Sequence, residues 1–283
     1  MTTGVDQSTE SDTPSFELDP AAAPAPASRR RKLRQWRQLI SIPVSLGFAL
    51  VTWQVLSSTV FDPFMIPPPT KVFAALIPMA KSGELALHIA LSLSRVLVGF
   101  VTGSIAAIFI GLLMGRIKVL EELFDPIIEF LRYLSPTAMI PIAVIWFGIG
   151  EMPKYFLIFW GTFFIVLIST IAGVMKTPKA RQDAVLCLGA SKQQIFRLVV
   201  LPSAIPQIVT GMRVALASAF VSIIPAELIA AGGGLGYLLQ SSSLLLQTDR
   251  IFVALVVISA VGFLTDRLFR ISVAILLRRF MRS

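Results

Sequence analysis

Cysteine and histidine are almost absent from this 283-residue chain, which has one of each, Cys187 and His88. A single cysteine excludes an internal disulfide, and no cluster of His, Cys, Asp or Glu has the spacing of a metal site. Catalytic signatures are missing as well, because the sequence holds no nucleophile elbow, no acid pair and no triad pattern. We therefore expect a chain that is not itself an enzyme.

Charged residues are also scarce, at 14% of the chain, whereas apolar residues make up 55% and the mean hydropathy is +0.79. This balance is typical of polytopic membrane proteins and excludes most soluble folds. A net charge of +9 would suggest a nucleic-acid partner in a soluble chain. Here the basic residues stand beside apolar segments, where orientation in a membrane requires them, so we expect membrane lipid and no nucleic acid around this chain.

The N-terminal region has no apolar run. Residues 1–28 are rich in Ala, Pro, Ser and Thr and carry five acidic residues, a composition that predicts a disordered cytoplasmic tail. No signal peptide is expected, since a basic segment followed directly by an apolar core is missing from the first residues. Residues 29–38 form a basic juxtamembrane segment, and residues 39–283 are predicted to be the transmembrane domain.

Six segments have the roughly 20 mostly apolar residues that a spanning helix needs, which predicts an all-α polytopic membrane protein. An even number of spans places both termini on one side. Of the 25 Lys and Arg residues, 18 fall on that side and four on the other. The positive-inside rule then predicts a multi-pass protein of the cell membrane with both termini in the cytoplasm. The predicted spans are residues 39–60, 89–115, 127–149, 155–175, 205–231 and 251–268.

The loop of residues 176–206 carries several charges between two apolar segments, so it must lie in water beside the membrane. Thr177 is predicted to cap a first helix that ends at Gly189, where a left-handed residue costs least. Ser191 and Gln194 form a capping box that starts a second helix. The loop is therefore expected to fold as two short helices joined at a glycine.

The spacing within this loop carries a family resemblance. Asp183 and Ala184 lie six and five residues before Gly189, and Leu201 and Pro202 follow it by twelve and thirteen. Pro202, which lacks an amide donor, is expected to end the second helix. The pattern resembles the cytoplasmic EAA loop in permease subunits of ATP-binding-cassette (ABC) importers, with Asp183 in place of the usual Glu. The resemblance implies docking of an ATPase subunit on nine residues: Ala180, Asp183, Ala184, Leu188, Gly189, Ala190, Ser191, Leu201 and Pro202.

Two further segments resemble the nitrate, sulfonate and taurine branch of these permeases. Residues 131–150 contain an arginine, a proline turn, Ile-Pro and a Trp-Phe-Gly-Ile-Gly exit, and residues 226–238 contain Ala-Glu-Leu followed by Gly-Leu-Gly. The resemblance covers about residues 40–280 and implies the fold of a type I ABC importer permease. It also implies a permease homodimer, two cytoplasmic ATPase subunits and an extracytoplasmic substrate-binding protein. This chain has no P-loop, so ATP and magnesium would bind the partner ATPase and no cofactor would bind this chain.

The substrate is left open by the sequence. The resemblance implies import of a small anion such as a sulfonate, taurine or nitrate, while a pyrimidine vitamin precursor or an aromatic acid is the alternative within the same architecture. A secondary transporter would need coupling charges or broken helices repeated in two halves. A structural membrane protein would not need the spacing of the loop, so neither of these two classes is favoured.

Charged and aromatic residues inside the predicted spans are candidates for a substrate pathway, because charge in a bilayer core usually faces protein or water. Arg132 is a candidate contact for an anionic substrate, although it also lies within snorkelling reach of the cytoplasm. Glu227 is better explained by a pair with an arginine, for which Arg213 is one candidate. Pro225 is expected to break the fifth span just before Glu227. The candidate pathway residues are Arg132, Tyr133, Trp146 and Glu227.

Overall fold

The computed structural model describes residues 44–45, 47–228 and 232–277, and within these ranges its regular structure is entirely helical. The chain divides into two units, residues 1–55 and 56–283. The predicted disordered tail and basic juxtamembrane segment lie outside the described residues. The helices are α1 (residues 47–59), α2 (Pro69–Lys81), α3 (Glu84–Arg116), α4 (Lys118–Leu131), α5 (Ile140–Phe147), α6 (Met152–Met175), α7 (Lys179–Cys187), α8 (Lys192–Ile195), α9 (Leu201–Leu228), α10 (Leu235–Leu244) and α11 (Thr248–Leu276).

Four helices in the described part of the chain are long and apolar enough to cross a membrane. They are α3, α6, the continuous run Lys192–Leu228 that contains α8 and α9, and α11. These four correspond to four of the six predicted spans and confirm an all-α polytopic architecture. The first predicted span, residues 39–60, is only partly covered by the described residues, and the count of six is not confirmed.

The third predicted span, residues 127–149, is wrong as a continuous helix. It consists of the end of α4 and the whole of α5, separated by the irregular residues 132–139. Pro136 has no amide donor and disfavours helical backbone in the residue before it. Pro141 lies in the first turn of α5, where its missing N–H is not needed. Pro136 therefore disfavours a continuation of the helix after α4, and Pro141 suits the start of α5.

The helix that begins at Lys192 differs from the prediction in two places. It was expected to end at Pro202, and the span that follows was expected to break at Pro225, but helical structure continues to Leu228. A π-helical turn over Phe196–Val200 comes directly before Pro202. This turn bonds each N–H to the carbonyl five residues back, which moves aside the carbonyl that the proline ring would otherwise meet. The chain thus passes Pro202 without a break.

Close packing of α3 along α6 forms the centre of the fold. A Cβ atom at Gly99 would lie 2.6 Å from the Cβ of Ile158, and one at Gly111 would lie 2.8 Å from the Cβ of Thr170. Since no side chain separates the helices at these points, their backbones approach closely, as small residues allow between membrane helices. Every fourth residue along this face of α3 is small: Gly99, Gly103, Ala107, Gly111 and Gly115.

A neighbouring face of α6 packs on α9 in the same manner. Gly211 of α9 lies against Ser169, and a Cβ atom at Gly173 would lie 3.1 Å from the carbonyl oxygen of Ala204. The helices α3, α6 and α9 therefore share one core. Apolar side chains from all three fill it: Val96, Phe100, Ile158, Phe164, Val166, Leu167, Leu216, Phe220 and Ile223.

Gly99→Val is expected to destabilise the protein, because the added side chain would collide with the fully buried Ile158 of α6. Overpacking of this kind costs about 1–3 kcal/mol. The measurement is the melting temperature of the detergent-solubilised protein, followed by size-exclusion chromatography. Val98→Leu is the matched control, because Val98 is the neighbouring residue and is exposed. Equal melting temperatures for the two variants would contradict the close approach of α3 and α6.

Candidate functional site

The loop after α6 folds as two short helices joined at a glycine. The end of α7 is a Schellman motif, in which the N–H of Gly189 bonds to the carbonyl of Leu186 at 2.9 Å and the N–H of Ala190 bonds to that of Val185 at 3.3 Å. Gly189 has a φ of +83°, the left-handed conformation that glycine adopts without steric cost. The predicted end of the first helix is confirmed.

The start of α8 is the predicted capping box, which is also confirmed. The N–H of Gln194 donates to Ser191 Oγ at 3.3 Å, and the N–H of Ser191 donates to Gln194 Oε1 at 2.8 Å. The predicted cap of α7 is wrong, because that helix has Pro178 as its N-cap and no side-chain cap. Since α7 begins only at Lys179, the side chain of Thr177 is too far along the chain to reach the first turn. Thr177 is instead buried, and its hydroxyl has no partner among the described residues.

Most of the surface of α7 is not covered by any of the described residues. None of its residues is buried, and the side chains of Leu186 and Leu188 are 54% and 86% exposed. Apolar surface of this kind marks a site of interaction when it is clustered. Of the nine predicted docking residues, Ala180, Asp183, Ala184, Leu188, Gly189 and Ser191 are exposed, and Ala190, Leu201 and Pro202 are half-buried.

Contacts at the base of the loop connect it to the spanning helices. Val185 and Ala190 pack on an apolar cluster formed where α6 ends and α9 begins. The guanidinium of Arg116, at the end of α3, lies 5.2 Å from the ring centroid of Phe196 in the π turn. A displacement of α7 therefore reaches α3, α6 and α9 through direct contacts. The cluster is made of Val174, Ile195, Val200, Ala204 and Ile208.

At the other end of the same helices, a buried group of charges joins four segments; we call it the ion cluster. Glu227, near the end of α9, is fully buried, and its Oε1 lies 2.7 Å from Nη1 of Arg95 on α3. Arg95, which is 3% exposed, also binds Glu151 through Nε at 2.6 Å and Nη2 at 2.8 Å, and donates to the carbonyl of Gly233 at 2.6 Å. The buried Lys154 binds the same Glu151 at 2.8 Å. Two buried cations thus meet two carboxylates, of which Glu151 alone reaches solvent.

Polar groups of the glycine-rich turn complete the bonding of the ion cluster. Oε2 of Glu227 accepts from the N–H of Gly236 at 2.8 Å, and the Ser92 hydroxyl donates to the carboxylate at 2.8 Å. His88 Nδ1 accepts from the N–H of Gly234 at 3.0 Å. Gly234 has a φ of +124°, and a side chain there would collide with the carboxylate of Glu227. The carboxylate therefore lies at the N-terminus of α10, where the helix dipole favours negative charge.

Sequence reasoning correctly gives Glu227 an arginine partner but does not identify it. Arg213, the candidate, pairs instead with Asp266 of α11 at 2.9 Å. The true partner, Arg95, is 132 residues away in the chain, and no local pattern links the two positions. Sequence reasoning also missed Glu151 and Lys154, although an acidic and a basic residue three apart at the start of an apolar helix are a visible signal.

The candidate pathway residues lie in three different places. Arg132 and Tyr133 line a cavity of about 350 Å³ where the chain is irregular between α4 and α5. Trp146 is 62% exposed at the end of α5 and does not line that cavity. Glu227 is enclosed in the ion cluster and contributes no surface to a pathway in this structure. The structure thus brings together only Arg132 and Tyr133.

A metal site is not found in the part of the chain that the structure describes. No group of three or more His, Cys, Asp or Glu side chains there is placed to hold a metal ion. Cys187 lies at the end of α7 as a free, exposed thiol.

Glu227→Gln is expected to destabilise the protein, because it leaves the buried Arg95 with one carboxylate less. Removing one partner of a buried ion pair costs about 3–5 kcal/mol, and the lower end applies here since Arg95 keeps Glu151. The measurement is the melting temperature in lipid nanodiscs. Glu84→Gln is the matched control, because Glu84 pairs with Arg250 at 3.6 Å and both side chains are exposed. A similar decrease in melting temperature for both variants would show that the buried ion pair stabilises the protein no more than the exposed one does.

The stability of the protein is expected to depend on pH through Glu151. The Arg95 guanidinium and, to a smaller extent, the Lys154 ammonium lower the pKa of Glu151 from 4.5 to about 2, against the opposing effect of burial. A lowered pKa stabilises the folded state fully above pH 4.5, and this stabilisation is lost as the pH falls toward 2. Between about pH 5 and about pH 3, the melting temperature should therefore fall more for the unmodified protein than for Glu151→Gln. Parallel curves would contradict the pairing of Glu151.

Comparisons with known proteins agree with this architecture. The profile of the family described as "Binding-protein-dependent transport system inner membrane component" matches residues 99–278. A chain of the MetNI methionine ABC transporter, in inward-facing conformations, superposes with a TM-score of 0.55 at 19% identity, covering 68% of this chain and 97% of that chain. At this identity the likeness shows the fold alone.

Three relatives match most of the chain. The taurine transport system permease protein TauC of Escherichia coli is 36% identical over 248 residues, which are 84% of this chain and 90% of that protein. SsuC of Bacillus subtilis, named for transport of aliphatic sulfonates, is 30% identical over 85% of this chain and 87% of its own length. The bicarbonate transport system permease protein CmpB of Synechococcus elongatus is 33% identical over 85% of this chain and 91% of its own length. With the family match over residues 99–278, these relatives show that the chain belongs to the inner membrane components of binding-protein-dependent transport systems, the permease subunits of ABC importers.

Proposed function

We propose that this chain is the permease subunit of an ATP-driven importer that carries a small organic sulfonate, with taurine as the first candidate. Family membership supports the transport role. Relatives named for taurine, aliphatic sulfonates and bicarbonate support a small anion as the substrate. A pyrimidine vitamin precursor or an aromatic acid is not favoured, because none of these relatives is named for one.

The observation that carries this proposal is the exposed helix α7 at the ends of α6 and α9. Leu186 of α7 and Leu188 directly after it are open to a partner, while Val185 and Ala190 hold the helix to the bundle. A groove of about 750 Å³ separates α7 from the start of α9 and offers additional surface to the same partner. The partner is an ATPase subunit, which docks on α7 and binds ATP and magnesium. The nine docking residues remain a prediction that these exposures support.

The geometry gives a route by which the ATPase moves the membrane helices. When the two ATPase subunits close on ATP, they displace α7, and the apolar cluster at its base transmits that displacement to α6 and α9. Because the π turn lets the helix continue through Pro202, the displacement of α7 is transmitted to α9 along the axis of that helix. The tight packing of α3, α6 and α9 makes these helices move together.

The assembly contains two copies of this chain, two ATPase subunits and an extracytoplasmic binding protein. Both termini and α7 lie in the cytoplasm, as the distribution of Lys and Arg indicates. The ion cluster then lies toward the extracytoplasmic side, where the binding protein delivers the substrate. The two copies follow from the family resemblance, which implies a permease homodimer.

Gly189→Val is expected to weaken docking of the ATPase, and so to lower both stimulated ATP hydrolysis and transport. A β-branched residue is strained at a φ of +83°, so the Schellman motif should open and α7 should lose its fixed direction. With the partner ATPase and binding protein in proteoliposomes, ATP hydrolysis stimulated by the taurine-loaded binding protein should fall at least tenfold. Uptake of radiolabelled taurine should fall in parallel.

Gly83→Val is the matched control for this experiment. Gly83 also has a positive φ, +78°, and open space around its Cβ position, but it lies between α2 and α3, away from α7. This variant should retain stimulated hydrolysis. If Gly189→Val transports taurine as well as Gly83→Val does, α7 is not the docking site. If the unmodified complex imports bicarbonate but not taurine, the sulfonate assignment is wrong.

A further inference from the structure

The irregular segment of residues 132–139 lies beside the middle of a spanning helix. It shares a cavity with Trp160, Phe164 and Ile168 of α6. Trp160 is eight residues from the start of α6 and Ile168 is seven from its end, which corresponds to about 12 Å and about 10 Å along the axis. The cavity is therefore close to the centre of the span.

Irregular backbone at this depth needs polar partners or water. Within a bilayer core, non-helical backbone occurs only where it is buried in protein or lines an aqueous cavity. Here the Nε1–H of Trp160 donates to the carbonyl of Leu134 at 3.0 Å, which fixes one end of the segment on α6. Tyr133 is 75% exposed, so the cavity is open on that side. The break in the helix thus forms one wall of an accessible cavity.

Arg132 supplies a positive charge with unused donors. Its Nη2 lies 3.0 Å from a carboxylate oxygen of Glu129 and 3.0 Å from the hydroxyl of Tyr133. Its Nε and Nη1 bond to none of the described residues. The Oγ of Ser135, on the same wall, accepts from the N–H of Thr137 at 3.3 Å, which leaves the hydroxyl proton free to be donated. Arg132 and Ser135 together offer several donors to a bound anion.

The remaining walls are mostly apolar, and the one hydroxyl among them, that of Ser218, donates to the carbonyl of Gly161 at 3.0 Å. Trp160, Phe164, Ile165 and Ile168 line the side opposite the irregular segment. Such a surface can bind a short hydrocarbon chain, whereas bicarbonate has no alkyl group to place against it. A cavity of about 350 Å³ is large enough for a sulfonate group and a few methylene groups.

We infer that this cavity is a binding station for short alkanesulfonates within the translocation pathway, with Arg132 and Ser135 on the sulfonate and the apolar wall on the alkyl chain. The inference rests on the proposed function and extends it to named residues. It also distinguishes a sulfonate substrate from bicarbonate, because only an organic anion can contact both the polar wall and the apolar wall of the cavity.

The test is direct binding of ethanesulfonate to the permease–ATPase complex in lipid nanodiscs, without the binding protein. Trp160 lines the cavity, so its fluorescence should change on titration, and Trp160→Phe should remove that change. Arg132→Gln should weaken binding by at least about tenfold, since it deletes charge-assisted hydrogen bonds, and Arg132→Lys should restore it in part. Sodium bicarbonate at equal concentration should produce no change.

Arg213→Gln is the matched control, because Arg213 also lies in a spanning helix and pairs with a carboxylate, at 2.9 Å, but is outside the cavity. It should bind ethanesulfonate like the unmodified complex. Unchanged binding in Arg132→Gln, or equal binding of bicarbonate, would overturn the inference. ATP-dependent taurine uptake by the unmodified complex with its binding protein is measured separately. If the unmodified complex takes up taurine but Arg132→Gln does not weaken ethanesulfonate binding, the binding station alone is refuted. If the unmodified complex takes up no taurine, the proposed function is refuted.

Discussion

The buried pair of Arg95 and Glu227 is the constraint on which the arrangement of the bundle depends. Neither charge can remain in an apolar core alone, so each must find the other and fill its remaining hydrogen bonds. Glu151, the Ser92 hydroxyl and N–H groups of the turn before α10 meet that demand. Meeting it fixes α3, the start of α6, the end of α9 and the start of α10 relative to one another.

The two ends of the bundle consequently differ in character. At the ion cluster the segments are held by charge-assisted bonds of 2.6–2.8 Å, which are directional and intolerant of sliding. At the α7 end they are held by the apolar contacts of Val185 and Ala190, which permit small displacements. Between the two ends of the bundle, the small residues of α3 bring its backbone into close contact with α6, which leaves no space for one helix to shift against the other. A force applied at α7 is therefore expected to rotate the bundle as one body about its firmer end.

Sequence patterns predict the features of this structure that depend on neighbouring residues. They fail for features that depend on contacts between residues far apart in the chain. The capping box at Ser191 and the left-handed Gly189 follow from nearest neighbours, and both are confirmed. The helix was expected to end at Pro202, but the π turn over Phe196–Val200 accommodates the proline ring and the helix continues. No simple sequence pattern predicts such a turn. The break at residues 132–139 was hidden by apolar composition, although its prolines were visible. The partner of Glu227 depends on the packing of α3 and α9 around α6, which spacing alone does not give.

The station that we propose at this break would bind its ligand without trapping it. Arg132 is already paired with Glu129, so an incoming sulfonate would gain only part of the attraction that a free guanidinium offers. Transport requires a site that is favourable enough to enter and weak enough to leave. A paired arginine on irregular backbone meets both conditions, because it attracts the anion while its carboxylate partner limits affinity. Every guanidinium nitrogen of the buried Arg95 is already bonded to groups of the ion cluster, and so Arg95 holds the fold rather than the substrate.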